Sequence, residues 1–172
     1  FNFDKKVYEK VADLNSLNKW IKEIYDVGHV AIDTETTSLN EMSAELVGIS
    51  LCVKSGYACY IPISHKENDD DLFGVQTLIP NQLSIETLIT VLGPVFEDES
   101  ILKIGQNIKY DLKILTMAGF KVVAFDDTML LSYALNAGLH NHSLDSLSER
   151  YLNHKPIPIK ELIGAGAGVI TF

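Results

Sequence analysis

Segments whose apolar residues recur at helical spacing alternate along this chain with short, almost unbroken apolar runs, and that alternation restricts it to a β-sheet covered by helices. DLNSLNKWIKEIYDVG, Asp13 to Gly28, places Leu14, Leu17, Ile21, Ile24 and Tyr25 on one helical stripe behind a polar start, and a glycine closes it. HVAID, His29 to Asp33, then reads as a buried strand that ends in an acid. ELVGISLCV and YACYIPI flank a Ser55-Gly56 tip as an antiparallel hairpin of the same sheet. LSIETLITVLGPVFED has a helical period disturbed at Gly93 and Pro94; ILKIGQN reads as a strand, IKYDLKILTMAG as a helix and FKVVAF as another strand. DDTMLLSYALNAG and SLDSLSERYLNH give two further helices, the second with Leu144, Leu147 and Tyr151 on its core face. KENDDDLFG reads as a solvated loop, and KPIPIKELIGAGAGVITF as irregular chain.

With 172 residues and 47% apolar content, the chain is expected to form one domain, 1–172. Fourteen Lys and Arg against 23 Asp and Glu leave a net charge of −9, which excludes a basic nucleic-acid clamp and a polybasic membrane surface. Any phosphate chemistry must then run through metal ions. No apolar run approaches the roughly 18 residues of a membrane span, and FNFDKKVYEK has no signal-peptide core, so a soluble, cytoplasmic location is expected. The first residue, Phe1, is not Met, and the chain is expected to be a piece of a longer polypeptide. Cys52 and Cys59 stand on the two arms of the hairpin, where they are expected to face each other as reduced thiols.

Asp33 and Glu35 lie two apart at a strand end, so a period of two sends both carboxylates to one face. Two adjacent anions repel unless one is protonated or a cation lies between them, and oxygen donors of this kind suit Mg²⁺ or Mn²⁺. The plain alternative is a pair of solvated acids. In IGQNIKYDL, Asn107 and Asp111 are four apart at a helix start and share a face. Here the alternative is an N-cap at Asn107 and an ordinary exposed acid at Asp111.

AIDTETTSL, LKIGQNIKYDLKIL, DDTMLLSYALNAG and SLDSLSERYL, in that order, resemble the 3′-5′ exonuclease (proofreading) domain of the bacterial DNA polymerase I family, from about Val30 to Phe172. The resemblance implies an α/β fold, a ribonuclease H-like mixed sheet flanked by helices. It implies that Asp33 and Glu35 are the acids of the first motif, that Asp111 is the acid of the second, and that Asp33 bridges two divalent ions. It further implies that these ions, Mg²⁺ or Mn²⁺ about 4 Å apart, hydrolyse the 3′-terminal phosphodiester of single-stranded or frayed DNA, with a polymerase domain covalently attached. Thr36 and Leu39 would line the pocket for the terminal nucleotide, Leu39 as an apolar wedge against the end bases. Gln106, Asn107 and Tyr110 would touch the last nucleotides, and Phe172 matches an aromatic that stacks on single-stranded substrate. From the residues alone, Leu39 reads equally as a buried turn leucine and Tyr110 as core.

The chain departs from the family pattern at the third motif, a Tyr followed four positions later by Asp. No tyrosine here has that partner, and the motif is expected beyond Phe172. A related class uses His-x₄-Asp, which His140 to Asp145 and His65 to Asp70 match in spacing. The first lies only 29 positions after Asp111 on a segment that reads as a structural helix, and the second precedes Asp111. Ribonuclease D shares the metal chemistry, but the second block reads more like the polymerase branch. Two other functions compete. DTETT partly fits a phosphatase loop in which Asp33 becomes an aspartyl phosphate, with Glu35 a departure from D-x-D. A non-catalytic scaffold for an attached polymerase would have no use for three converging acids.

Overall fold

Val7–Lys10 forms strand β1 at the sheet edge, where Glu9 accepts the Trp20 indole N–H at 3.0 Å. Asp13 opens helix α1, Leu14–Val27, by accepting the Ser16 N–H at 2.9 Å, and Gly28 closes it with a left-handed φ of 74°. Strands β2, His29–Thr36, β3, Leu46–Lys54, and β4, Tyr57–Pro62, follow as an antiparallel meander. A two-residue ladder joins β5, Lys66–Glu67, to β6, Thr77–Leu78. Helices α2, Ile85–Val91, and α3, Gly93–Glu97, break at Gly93-Pro94, as expected. Strand β7, Leu102–Gly105, helix α4, Lys109–Met117, strand β8, Phe125–Asp127, and helix α5, Thr128–Asn136, complete the alternation. Helix α6, Leu144–Leu147, runs into a π-helical turn at Ser148–Leu152. The computed structural model describes residues 7–38, 40, 42–67, 77–158 and 161.

The main sheet is mixed, in the order β1-β4-β3-β2-β7-β8, with the β2, β3, β4 meander antiparallel and the outer pairs parallel. Alternate residues of its strands face the helices. Val30 and Ile32, Ile49 and Leu51, and Ile61 meet Leu17, Trp20 and Ile24 of α1 and Leu88, Phe96, Ile114 and Leu115 of the later helices in one buried cluster. Each such side chain contributes about 1.5–3 kcal/mol by leaving water. Lys103 is the exception in this layer. Fully buried, it donates its ammonium to the carbonyls of Asp98 at 2.8 Å and Ile101 at 2.7 Å, and burial lowers its pKa.

Four expectations change in detail. FKVVAF is not a strand along its length: Val123 donates to the Phe96 carbonyl, Phe120 packs on Phe96, and Ala124 turns with φ 49° before β8 begins. SLDSLSERYL gives a short helix and a π-helical turn; Leu144 and Tyr151 are each 55% exposed, and with Leu147 they line an open cavity rather than a core. Leu51 pairs with Cys59 and Cys52 with Ala58, so the two thiols point to opposite faces and both are free. Asn107 does not cap α4; it adopts φ 56°, and the helix has no cap from its neighbouring side chains.

Candidate active site

Strand β2 pairs with β7 only as far as Ala31 opposite Ile104, which leaves the far half of β2 with a free edge. Helix α4 brings Asp111, in its first turn, to that edge. The Thr34 N–H donates to Asp111 Oδ1 at 2.9 Å and the Thr34 hydroxyl donates to the same oxygen at 2.6 Å. Neither of these bonds uses Oδ2. Asp33 and Glu35 project from the sheet face opposite α1 and α4, the face on which Thr128 of α5 and Leu144 of α6 lie, and there β3 sets Ser50 beside Asp33 and Gly48 beside Glu35. Gly48 is required there: a Cβ on it would fall 2.0 Å from the Tyr60 hydroxyl, which His65 Nε2 holds at 2.6 Å.

The electrostatics join the three acids. Burial pushes the Asp33 carboxyl up to about 6, with the charges of Asp111 and then Glu35 adding to it. Glu35 is raised by burial and by Asp111. Asp111 is raised by burial, against the pull of the two Thr34 hydrogen bonds. Acids from segments almost eighty residues apart therefore repel one another at one strand end. Their donor set is all oxygen and carries spare lone pairs, notably Asp111 Oδ2, which fits a hard divalent cation. Among the described residues no three His, Cys, Asp or Glu side chains stand close enough together to hold a metal ion as they are placed.

The remaining residues singled out in the sequence fall into three groups. Thr36 and Tyr110 meet at the strand end, hydroxyl to hydroxyl at 2.6 Å, and both donate toward the Ser38 carbonyl, so they pin the turn that follows the acids. Gln106 lies on the acid side of the sheet, but its amide is engaged: Nε2 donates to the His142 carbonyl and Oε1 accepts from Thr128. Asn107 is exposed at the left-handed turn before α4. Leu39 and Phe172 lie outside the described residues. A cavity of about 290 Å³ opens beside the acids, with Ala31, Asp33, Ser50, Cys52, Gln106 and Leu144 in its wall. His140 packs its ring on His142 and its edge on Tyr151, and Asp145 lies in the first turn of α6. Sequence reading overlooked Thr34, whose signal is its place between the two acids, where the strand period turns it away from them and toward the helix layer.

The family described as 3′-5′ exonuclease matches residues 8–167 of this chain. DNA polymerase I of Rhizobium leguminosarum is 43% identical over 179 residues, which cover 99% of this chain and 18% of that protein. The chain thus spans less than a fifth of the length of the curated relatives it matches. Brucella melitensis NrnC bound to pGG superposes with a TM-score of 0.62 at 25% identity, over 89% of this chain and 63% of that one. NrnC with bound Mg²⁺ gives a TM-score of 0.61 at 23% identity, over 96% of this chain and 75% of that one, and this second likeness speaks to the fold alone.

Proposed function

This chain belongs to the 3′-5′ exonuclease family, and from that membership we propose that it hydrolyses the terminal phosphodiester at the 3′ end of single-stranded or frayed DNA, as the proofreading domain of a longer DNA polymerase I chain. The observation that carries the reading is the meeting of three half-buried acids at the free end of β2, where Thr34, between Asp33 and Glu35, holds Asp111 by two hydrogen bonds. Asp33 and Glu35 offer carboxylate oxygens from one face of β2, and Asp111 offers Oδ2 from the strand's edge while Thr34 holds Oδ1. Two divalent ions, Mg²⁺ or Mn²⁺, supply when bound an activated water and compensation for the charge on the departing 3′ oxygen. Thr36 would line the pocket for the terminal nucleotide at the turn that it and Tyr110 pin, Gln106, Asn107 and Tyr110 would touch the last nucleotides, and Leu39 and Phe172 are assigned to the end bases by the family resemblance alone. The net charge of −9 agrees with this chemistry, since a cleft of uncompensated acids repels phosphate until cations enter it. Family membership gives no support to an aspartyl phosphate at Asp33. Among the described residues no helix is long and apolar enough to cross a membrane.

A single-stranded oligonucleotide labelled at its 5′ end tests the proposal. The protein with Mn²⁺ or Mg²⁺ is expected to give a descending ladder of labelled products and free mononucleotides, and chelation is expected to stop it. Cleavage that ignores chelation, loss of the 5′ label first, or a phosphoryl group trapped on Asp33 would overturn it. A scaffold domain would give no cleavage at all.

A further inference from the structure

Asp127 ends β8 and caps α5, accepting the N–H groups of Met129 at 2.8 Å and Leu130 at 3.3 Å on Oδ1. The same carboxylate reaches back twenty residues. It accepts the Asn107 N–H on Oδ1 at 3.0 Å and the Ile108 N–H on Oδ2 at 3.1 Å. These two amides converge for a conformational reason: Asn107 is left-handed at φ 56° and Ile108 right-handed at φ −54°, a sequence of backbone states that aims successive N–H groups at one point and makes an anion-binding hollow. In this fold the anion in the hollow belongs to the chain itself. Helix α4 has no capping side chain at its own start, so one buried carboxylate, 8% exposed, caps α5 and anchors the two residues from which α4 departs.

We propose that Asp127 is a positioning residue for Asp111. Asp111 lies three residues beyond Ile108, and its carboxylate is gripped from the other side by Thr34. Asp127 therefore fixes where α4 begins and Thr34 fixes where Asp111 ends; together they hold the Asp111 carboxylate at the end of β2 that carries Asp33 and Glu35. With four N–H donors on it, Asp127 is saturated and acts through the helix, without touching substrate or ion. The inference rests on the proposed role of Asp111 as a metal ligand, whereas the mechanical tie stands on the hydrogen bonds alone.

Asp127→Ser separates the two caps. A serine hydroxyl at the N-cap still serves α5 but is too short to reach Asn107 and Ile108. In the full chain without metal, amide exchange is expected to accelerate at least about tenfold at Ile108 and through Asp111, while Met129 keeps its protection. Mn²⁺ affinity by calorimetry is expected to fall about tenfold, at the lower end of the 10- to 100-fold that loss of a ligand-orienting partner costs. Asp127→Asn, which keeps one acceptor oxygen, is expected to fall between wild type and Asp127→Ser, and it carries the test if the serine variant does not fold. Asp13→Ala removes the remote cap of α1 and is expected to lower the melting temperature with Mn²⁺ affinity unchanged. The proposal is overturned if the Asp127 variants bind Mn²⁺ like wild type, or if Asp13→Ala loses affinity equally. Should wild type neither bind Mn²⁺ nor cut DNA, the nuclease reading fails, and the exchange measurement still decides the tie between α4 and α5.

Discussion

The two faces of β2, β3 and β4 are built from alternate residues of the same strands, yet they do opposite work. The face toward the helices carries Val30, Ile32, Ile49, Leu51 and Ile61, all at most 4% exposed, and nothing there repels its neighbour. The other face carries Ala31, Asp33, Glu35, Ser50, Cys52 and Ala58, small or acidic, and at its end burial and then the charge of Asp111 raise the pKa of Asp33 and Glu35. One face lowers the free energy of the folded chain; the other holds charge at a cost to it. The difference teaches that stability and reactivity are separated here by a single residue step, and substitutions one position apart should therefore fail in unlike ways.

The largest effect is expected at Asp33→Ala. Exonuclease turnover should drop by more than the roughly 100-fold that marks the upper range for residues merely hydrogen-bonded to a metal ligand. The metal-free melting temperature should hold or rise, because a repelling charge has gone. A fall in both would erase the contrast between the faces. Leu51→Ala, on the opposite face of the neighbouring strand, should cost about 2–5 kcal/mol in denaturant unfolding, by lost transfer energy and the cavity left behind. The remaining folded fraction should still bind Mn²⁺. If Leu51→Ala removes Mn²⁺ binding from folded protein, the faces are coupled and the comparison needs redrawing.

A smaller effect separates the faces by pH. The folded-state pKa of Asp33, about 6, lies above its unfolded value, so between the two the folded chain holds a proton that the unfolded chain has released. The stability from this group is fully present below the unfolded value and is lost as pH rises through about 6. Metal-free wild type should therefore gain stability relative to Asp33→Asn as the pH falls from 7 to 5, and saturating Mn²⁺ should flatten the difference. A difference of the opposite sign would mean that Asp33 is not in a repelling cluster.

Much of the fold could be read from local patterns, because the strongest ones are also the ones that burial enforces. Asp13 and Gly28 bound α1 as their cap chemistry requires, and the hairpin tip at Ser55-Gly56 sets β3 against β4. Trp20, the largest fully buried side chain, is missing from the helical stripe read in the sequence although it lies on it, three residues after Leu17 and four before Ile24, and its N–H finds Glu9 of β1. The same limit applies to the site. That Asp33 and Glu35 share a face follows from a period of two, but that Asp111 reaches the free edge of β2 depends on where β7 stops, which no local spacing encodes. The N-cap offered as the alternative reading of Asn107 does not form, and an acid twenty residues away instead holds the N–H groups of Asn107 and Ile108. Long-range hydrogen bonds of this kind, Thr34 to Asp111 and Asp127 to Ile108, are invisible to periodicity because their partners belong to different elements.

The most direct test of the account is anomalous scattering from a crystal of the protein soaked in Mn²⁺. A peak is expected at about 2.0–2.2 Å from carboxylate oxygens of Asp33 and Asp111, the latter through Oδ2, with Thr34 still on Oδ1. Peaks only elsewhere on the surface, with Asp33 and Asp111 left without an ion between them at saturating Mn²⁺, would contradict it.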